Sequence, residues 1–368
     1  MGTPPARGKI PHRVMKIFFD ARYTRTDYHD GISRYSVELG RALAKLTPVT
    51  FLISDEAQKK WFPKNADFIK IHSVTSIKEP FTARILNKYT PDIVYSPMQT
   101  IGTMGRKYKA ILTIHDMIYY RHNQAPRAFS APMRLGWWLY HQSYTPQRLI
   151  LKAADLITTV SHTSAQDLKK ARMTAHPAVV VYNAPQQFHT YPVRHDDGIK
   201  NIIYMGSFMP YKNVETLIRG MEWLPGRTLH LLSRISSERK EALTKLIPKG
   251  APVIFHNGVS DDEYEKLLAD NALLATASLD EGYGIPVAEA MAMGVPVVAS
   301  DIPIFHEVGA DGAVYFDPQN PKAFAEAVHS LDDKAVRTAR VKKGKAHMRT
   351  FNWDDSARVL FEAMKKLV

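Results

Sequence analysis

Short apolar runs recur along the chain, each too short to cross a bilayer and too continuous for a half-exposed strand. The first series lies at residues 14–20, 49–53, 93–96, 110–114, 156–161 and 179–182. Runs that are apolar on both faces mark strands buried in a parallel sheet, and the helical spacers between them are the crossovers parallel neighbours require. The first spacer opens with a loop over 21–31 and predicts a helix over 32–46. A second series follows at 202–205, 229–232, 253–255, 273–277, 297–300 and 314–316. Residues 185–200, polar and weakly periodic, read as the linker between the two. The pattern predicts an α/β protein with two doubly wound parallel-sheet domains, over 14–184 and 201–352. Residues 353–368 place Ala357, Leu360, Phe361, Met364 and Leu367 at helical spacing. That amphipathic helix either caps the second domain or crosses back to the first. Residues 1–13 are polar, basic and proline-bearing, and predict a disordered tail.

Composition narrows the picture. A chain of 368 residues with 45% hydrophobic content exceeds what one core usually supports. No apolar stretch approaches the ~20 residues of a membrane-spanning helix, and no signal-peptide core is visible, so a cytoplasmic protein is expected. The absence of cysteine excludes disulfides, thiolate catalysis and Cys-ligated zinc. A net charge of +13 asks for an anionic partner. Anionic lipid and nucleotide diphosphate both qualify. No recognised motif accompanies the charge to suggest nucleic acid, which is not expected.

The most informative stretch is residues 278–300. A buried strand ends at Ala277, and a loop carrying Glu281, Gly282, Tyr283, Gly284 and Pro286 leads into a helix over 287–293 that carries Glu289. Gly294 and Pro296 end that helix before the next buried strand. Glu281 therefore lies in a glycine-rich loop at a strand's carboxyl end, where open α/β sheets bind ligands. An ionised carboxylate is acceptor-only and can take two vicinal hydroxyls at once. The bland alternative is a solvated loop acid followed by a helix-surface acid.

This stretch resembles the signature of the retaining glycosyltransferases of family 4, whose fold, GT-B, sets two Rossmann-like domains across a cleft. The family's pair of glutamates, with seven residues between them, is matched by Glu281 and Glu289. The resemblance implies that Glu281, with Gly282, Tyr283 and Gly284, meets the donor sugar and that Glu289 binds the ribose. It implies further that Lys212, in the loop 206–213 after the first strand of the second domain, holds the donor diphosphate. The family often has an arginine near the start of that loop, where this chain has Ser207, so the expected diphosphate contacts are the Lys212 cation and the Ser207 hydroxyl. Gly31, at the turn into the first helix, matches a glycine that lets a phosphate approach the backbone, although a glycine there also suits a plain helix start. His115, in a Thr-x-His-Asp segment at a strand end, matches a histidine beside the donor sugar. Asn257 and Gly258 match a turn used against the nucleobase. Ser164 reads as the cap of the helix that follows it, and Ser260 with Glu263 as a capping box.

The expected activity is transfer of a hexose, mannose before glucose, from a nucleotide-diphosphate sugar to a glycan or lipid-linked acceptor in cell-envelope or polysaccharide synthesis. His115, Glu281 and Lys212 are the expected catalytic residues. GDP-mannose is the leading donor, with UDP-glucose the alternative and a catalytically silent scaffold the rival. No Asp-x-Asp motif stands in a suitable loop, so neither metal nor other cofactor is expected. The family implies same-face attack, with the departing phosphate taking the acceptor proton. Residues 133–152 mix Trp137, Trp138, Tyr140 and Tyr144 with Arg134, Arg148 and Lys152. Such a stretch suits an anionic membrane surface on the cytoplasmic face, but a core-facing helix is the preferred reading.

Overall fold

Thirteen strands among the described residues form two sheets in a computed structural model that covers residues 15–123, 125, 130–186, 188, 190–195 and 198–368. The expected tail at 1–13 lies outside the described residues. The first sheet contains β1 (Ile17–Asp20), β2 (Val49–Ile53), β3 (Asp67–Lys70), β4 (Ile93–Ser96), β5 (Lys109–Ile114), β6 (Leu156–Thr159) and β7 (Val179–Val180). Their order is β3-β2-β1-β4-β5-β6-β7. The second contains β8 (Asn201–Tyr204), β9 (Thr228–Leu231), β10 (Val253–Phe255), β11 (Ala272–Thr276), β12 (Val297–Ser300) and β13 (Ala313–Phe316), in the order β10-β9-β8-β11-β12-β13. Both are parallel and doubly wound, with Rossmann-like topology. β3 was not legible in the pattern because Asp67 and Lys70 bracket only two apolar residues. Such a charged, short strand suits its place at the sheet edge, where it pairs with β2 alone.

The chain divides into two compact units. One holds the described residues up to Leu112 with Ala153–Asp155 and Phe361–Val368, and the other holds Thr113–Lys152 and Leu156–Leu360. In the first unit, the helix Gly31–Leu46 starts where Asp30 accepts from the Ser33 N–H at 2.9 Å. It buries Tyr35, Leu39 and Leu43. Asp20 and Arg22 form a fully buried ion pair there, and Arg22 also reaches Glu79 at 2.6 Å.

In the second unit, the core around the second sheet gathers Tyr204, Leu217, Leu231, Val298 and Phe324. Strand order reverses between β8 and β11, so the loops leaving those two strands flank a topological switch point. The switch point brings Lys212 and Glu281 together although they are distant in sequence.

The helices Val214–Gly220 and Pro321–Ser330 pack tightly enough that a Cβ on Gly220 would fall 2.4 Å from Phe324 Cδ1 and 2.8 Å from the Pro321 carbonyl. Gly220→Ala is expected to cost about 1–3 kcal/mol of stability through overpacking. Urea denaturation checks this, and an unchanged midpoint would mean that the two helices can part freely.

Candidate active site

Close backbone contact sets the position of the signature loop. A Cβ on Gly282 would lie 2.9 Å from the His115 carbonyl oxygen and 3.1 Å from Asp116 Cβ, so the loop after β11 rests directly on the turn after β5. Ser161 Oγ donates to the Gly282 carbonyl at 2.9 Å, and Ser164 Oγ donates to the His115 carbonyl at 2.9 Å. The cap of the helix His162–Lys170 is Ser161, which accepts from the Ser164 N–H, so the capping role expected of Ser164 is corrected. A side chain at the first helical turn cannot cap its own helix; Ser161 stands before it, with the extended backbone a cap needs. Glu307 adds a carboxylate at the same end, accepting from the N–H groups of His162 at 2.6 Å and Thr163 at 2.7 Å.

Gly284 adopts φ +91°, and a Cβ there would meet Phe305 at 2.7 Å, so glycine is required twice over. It begins the helix Ile285–Met293, on which Glu289 is 4% exposed. Tyr283 is 3% exposed, with its ring packed near Tyr182 and Phe351 and its hydroxyl without a hydrogen-bond partner. Its side chain is thus taken up in packing.

Lys212 donates through Nζ to Glu281 Oε1, and Ser278 Oγ donates to the same oxygen at 3.0 Å. The Leu279 N–H donates to the Tyr211 carbonyl at 2.8 Å, which joins the two loops a second time. The capping box of Ser260 and Glu263 is present. Upstream of it, Asn257 holds φ +60° and accepts from the Ile235 N–H at 3.1 Å, while Gly258 holds φ +107° against Arg234. Ser207 is exposed and shares a cavity of about 660 Å³ with Arg134, Leu135, Trp138, Arg234 and Arg239. Gly31 belongs to the other unit, as the first residue of its helix.

A bracing network was missed by sequence reading. Arg121, on the short helix Ile118–Arg121, donates to Asp280 through Nε at 2.5 Å and Nη2 at 2.7 Å. Its Nη1 donates to Asp167 at 2.8 Å. His122 Nε2 lies 3.6 Å from Asp280, and its ring lies 5.6 Å from that of Tyr211. Nothing in the spacing announces a partner so far along the chain. The only sequence signal was an acid next to Glu281.

Burial, then repulsion from Asp280 and Glu281, pushes the Asp116 carboxyl up to about 6 against the opposing effects of the Ile118 N–H and Lys212. The helix Ala131–Tyr140 has no buried residue, which corrects the preferred core-facing reading of residues 133–152 for this segment. Leu135 is 59% and Trp138 46% exposed, while Trp137 packs edge-on against Tyr119. The segment buries aromatic rings against one another more than against the core. No helix among the described residues is long and apolar enough to cross a membrane.

Residues 187–347 match the family described as Glycosyl transferases group 1, and residues 29–184 match Glycosyltransferase Family 4. The chain belongs to this glycosyltransferase class, with the GT-B fold. It is 25% identical over 317 residues to the O-antigen chain mannosyltransferase RfbU of Salmonella typhimurium, covering 82% of this chain and 87% of that protein. It is 29% identical over 173 residues to the O-antigen chain mannosyltransferase B of Escherichia coli, covering 45% of each. Among solved structures, sucrose-phosphate synthase from Thermosynechococcus elongatus aligns with a TM-score of 0.73 at 19% identity, over 96% of this chain and 99% of that one. Anabaena HepE in complex with UDP-glucose aligns at 0.72 and 17%, over 96% and 100%.

A carboxyl raised in the folded state keeps its proton where the unfolded chain has released it. The contribution of Asp116 to stability is therefore greatest below pH 4, falls as pH rises to about 6, and stays lower above. Asp116→Asn should flatten this loss, leaving the variant more stable at pH 7 by up to roughly 3 kcal/mol. Parallel urea melts from pH 4 to 8 measure the difference, and identical wild-type and variant slopes would remove Asp116 as its source.

Proposed function

We propose that this glycosyltransferase is a retaining hexosyltransferase that moves mannose from GDP-mannose to a glycan or lipid-linked acceptor, without a metal. Residues 201–352 bind the donor and residues 14–184 serve the acceptor side. The observation that carries the reading is the Lys212–Glu281 pair at the switch point of the second sheet. It sets a cation for phosphate beside a carboxylate for sugar hydroxyls. Likeness to O-antigen mannosyltransferases favours mannose, and the neighbour crystallised with UDP-glucose supports the alternative donor.

In this reading Glu281 accepts from donor-sugar hydroxyls, beside the main chain of residues 282–284, and Glu289 accepts from the ribose. Lys212 and the hydroxyl of Ser207 meet the diphosphate. Asn257 and Gly258 border the nucleobase. As the bond from the anomeric carbon to the diphosphate oxygen breaks, charge grows on that oxygen and Lys212 stabilises it. The acceptor oxygen forms its bond on the same face and passes its proton to the leaving phosphate. His115 lies beside the transferred sugar.

Calorimetry with GDP- and UDP-sugars, followed by transfer assays, tests the reading. Glu281→Ala and Glu289→Ala should each lose roughly 1.5–3 kcal/mol of donor or transition-state binding while keeping the fold intact. Lys212→Ala should weaken the nucleoside diphosphate far more than the nucleoside. Full turnover in either glutamate variant would remove that residue from the site, and equal losses for diphosphate and nucleoside would assign Lys212 to structure.

The exposed helix Ala131–Tyr140 supports a peripheral place on the inner face of the cell membrane. Leu135, Trp138 and Leu139 offer apolar anchors beside Arg134. Cations near an anionic surface add about 1 kcal/mol each and are screened by salt. The chain should float with anionic liposomes at low salt and detach at high salt. Equal flotation with neutral vesicles, or none at low salt, would end the membrane assignment.

A further inference from the structure

The charges around the switch point do not balance on Lys212 alone. Asp116, Asp280 and Glu281 lie close enough for the last two to raise the first. Lys212 already meets Glu281, and Ser207 stands where a second cation was expected. A nucleoside diphosphate brings further negative charge to this place. At the Lys212–Glu281 contact three carboxylates stand against one ammonium, while Arg134, Arg234 and Arg239 line the cavity on the Ser207 side.

Arg121 changes that balance. Its guanidinium grips Asp280 through two hydrogen bonds, at 2.5 and 2.7 Å, and keeps a third for Asp167 on the outer side. The Asp280 side chain is 11% exposed and that of Arg121 39%, so water screens this neutralisation from the arginine side. The next residue, His122, lies along the ring of Tyr211, whose carbonyl holds the Leu279 N–H. One dipeptide thus braces the loop bearing Lys212 and the loop bearing Glu281.

We propose that Arg121 is a positioning residue for donor binding, which by offsetting Asp280 leaves the Lys212 charge available to a diphosphate. The inference rests on the nucleotide-sugar reading above. It assigns to the segment after β5 the charge that Ser207 lacks. Arg121 need not touch the donor, because it acts through the carboxylate beside Glu281.

A charge role and a merely structural brace make different predictions for a double variant. GDP and UDP, and their nucleosides, are titrated against the wild-type chain, Arg121→Gln, Asp280→Asn and the pair combined, with thermal melts alongside. Arg121→Gln should weaken diphosphate binding about ten- to thirty-fold, from one uncompensated charge at short range, and change nucleoside binding less than about twofold. Asp280→Asn alone should hold or strengthen diphosphate binding. The double variant should regain most of the loss, because it removes one charge of each sign. If Arg121→Gln does not fold, Arg121→Lys takes its place and should keep diphosphate affinity while losing the fork. A double variant as weak as Arg121→Gln, or parallel losses for diphosphate and nucleoside, overturns the proposal in favour of a brace. Unchanged diphosphate binding in Arg121→Gln also overturns it. A wild-type chain that binds neither diphosphate overturns the nucleotide-sugar reading itself, a result separable from the others.

Discussion

The candidate site depends on a backbone contact that leaves no room for a side chain at Gly282. The His115 carbonyl oxygen lies only 2.9 Å from where a Cβ would go, and the two serines that tie this contact down bond to main-chain oxygens on both sides of it. Because the contact is between main chains, it fixes the path of both loops and not merely one rotamer. Asp280 and Glu281 come immediately before it in the chain, and His115 and Asp116 lie directly opposite. A substitution that pushed these segments apart would move every charged group of the site at once.

Several like charges are thereby forced together, and the protein offsets them by pairing. Glu281 takes Lys212 and Ser278, and Asp280 takes Arg121. Among the described residues Asp116 has the Ile118 N–H as its hydrogen-bond donor, and burial, with repulsion added, raises its proton affinity. Removing one partner of a partly buried pair leaves the other charged and poorly solvated, which costs more than deleting both. The same asymmetry makes a double substitution at Arg121 and Asp280 more informative than either alone.

Much of the fold was legible because parallel sheets bury both faces and write continuous apolar runs. Twelve runs marked twelve strands. β3 escaped because its ends are charged, and β7 shortened to Val179–Val180 because edge position leaves little to bury. The glutamate loop was legible too, since only glycine fits at Gly282 and Gly284 and the sequence shows both. Arg121 was not. A long-range ion pair has no period, and its partner was hidden inside a motif read for another residue. The helix Ala131–Tyr140 misled for the opposite reason: its aromatic content reads as core, while the rings pack on Tyr119 and His141 and leave Leu135 and Trp138 in solvent.

The Lys212–Glu281 pair also bears on how a donor would be distinguished from its product. On the proposed reading, an entering nucleotide sugar must replace both partners of the pair, phosphate oxygens for Lys212 and sugar hydroxyls for Glu281. Exchange of one set of charged hydrogen bonds for another costs little, because neither group is left bare. A nucleoside diphosphate without its sugar can satisfy only Lys212, and it leaves Glu281 to Ser278 and water. The side-chain pair is mostly shielded from solvent, so the unmatched carboxylate weighs against the product more than it would on an open surface. The same two residues that hold the donor would thereby favour release of the diphosphate once the sugar has been transferred.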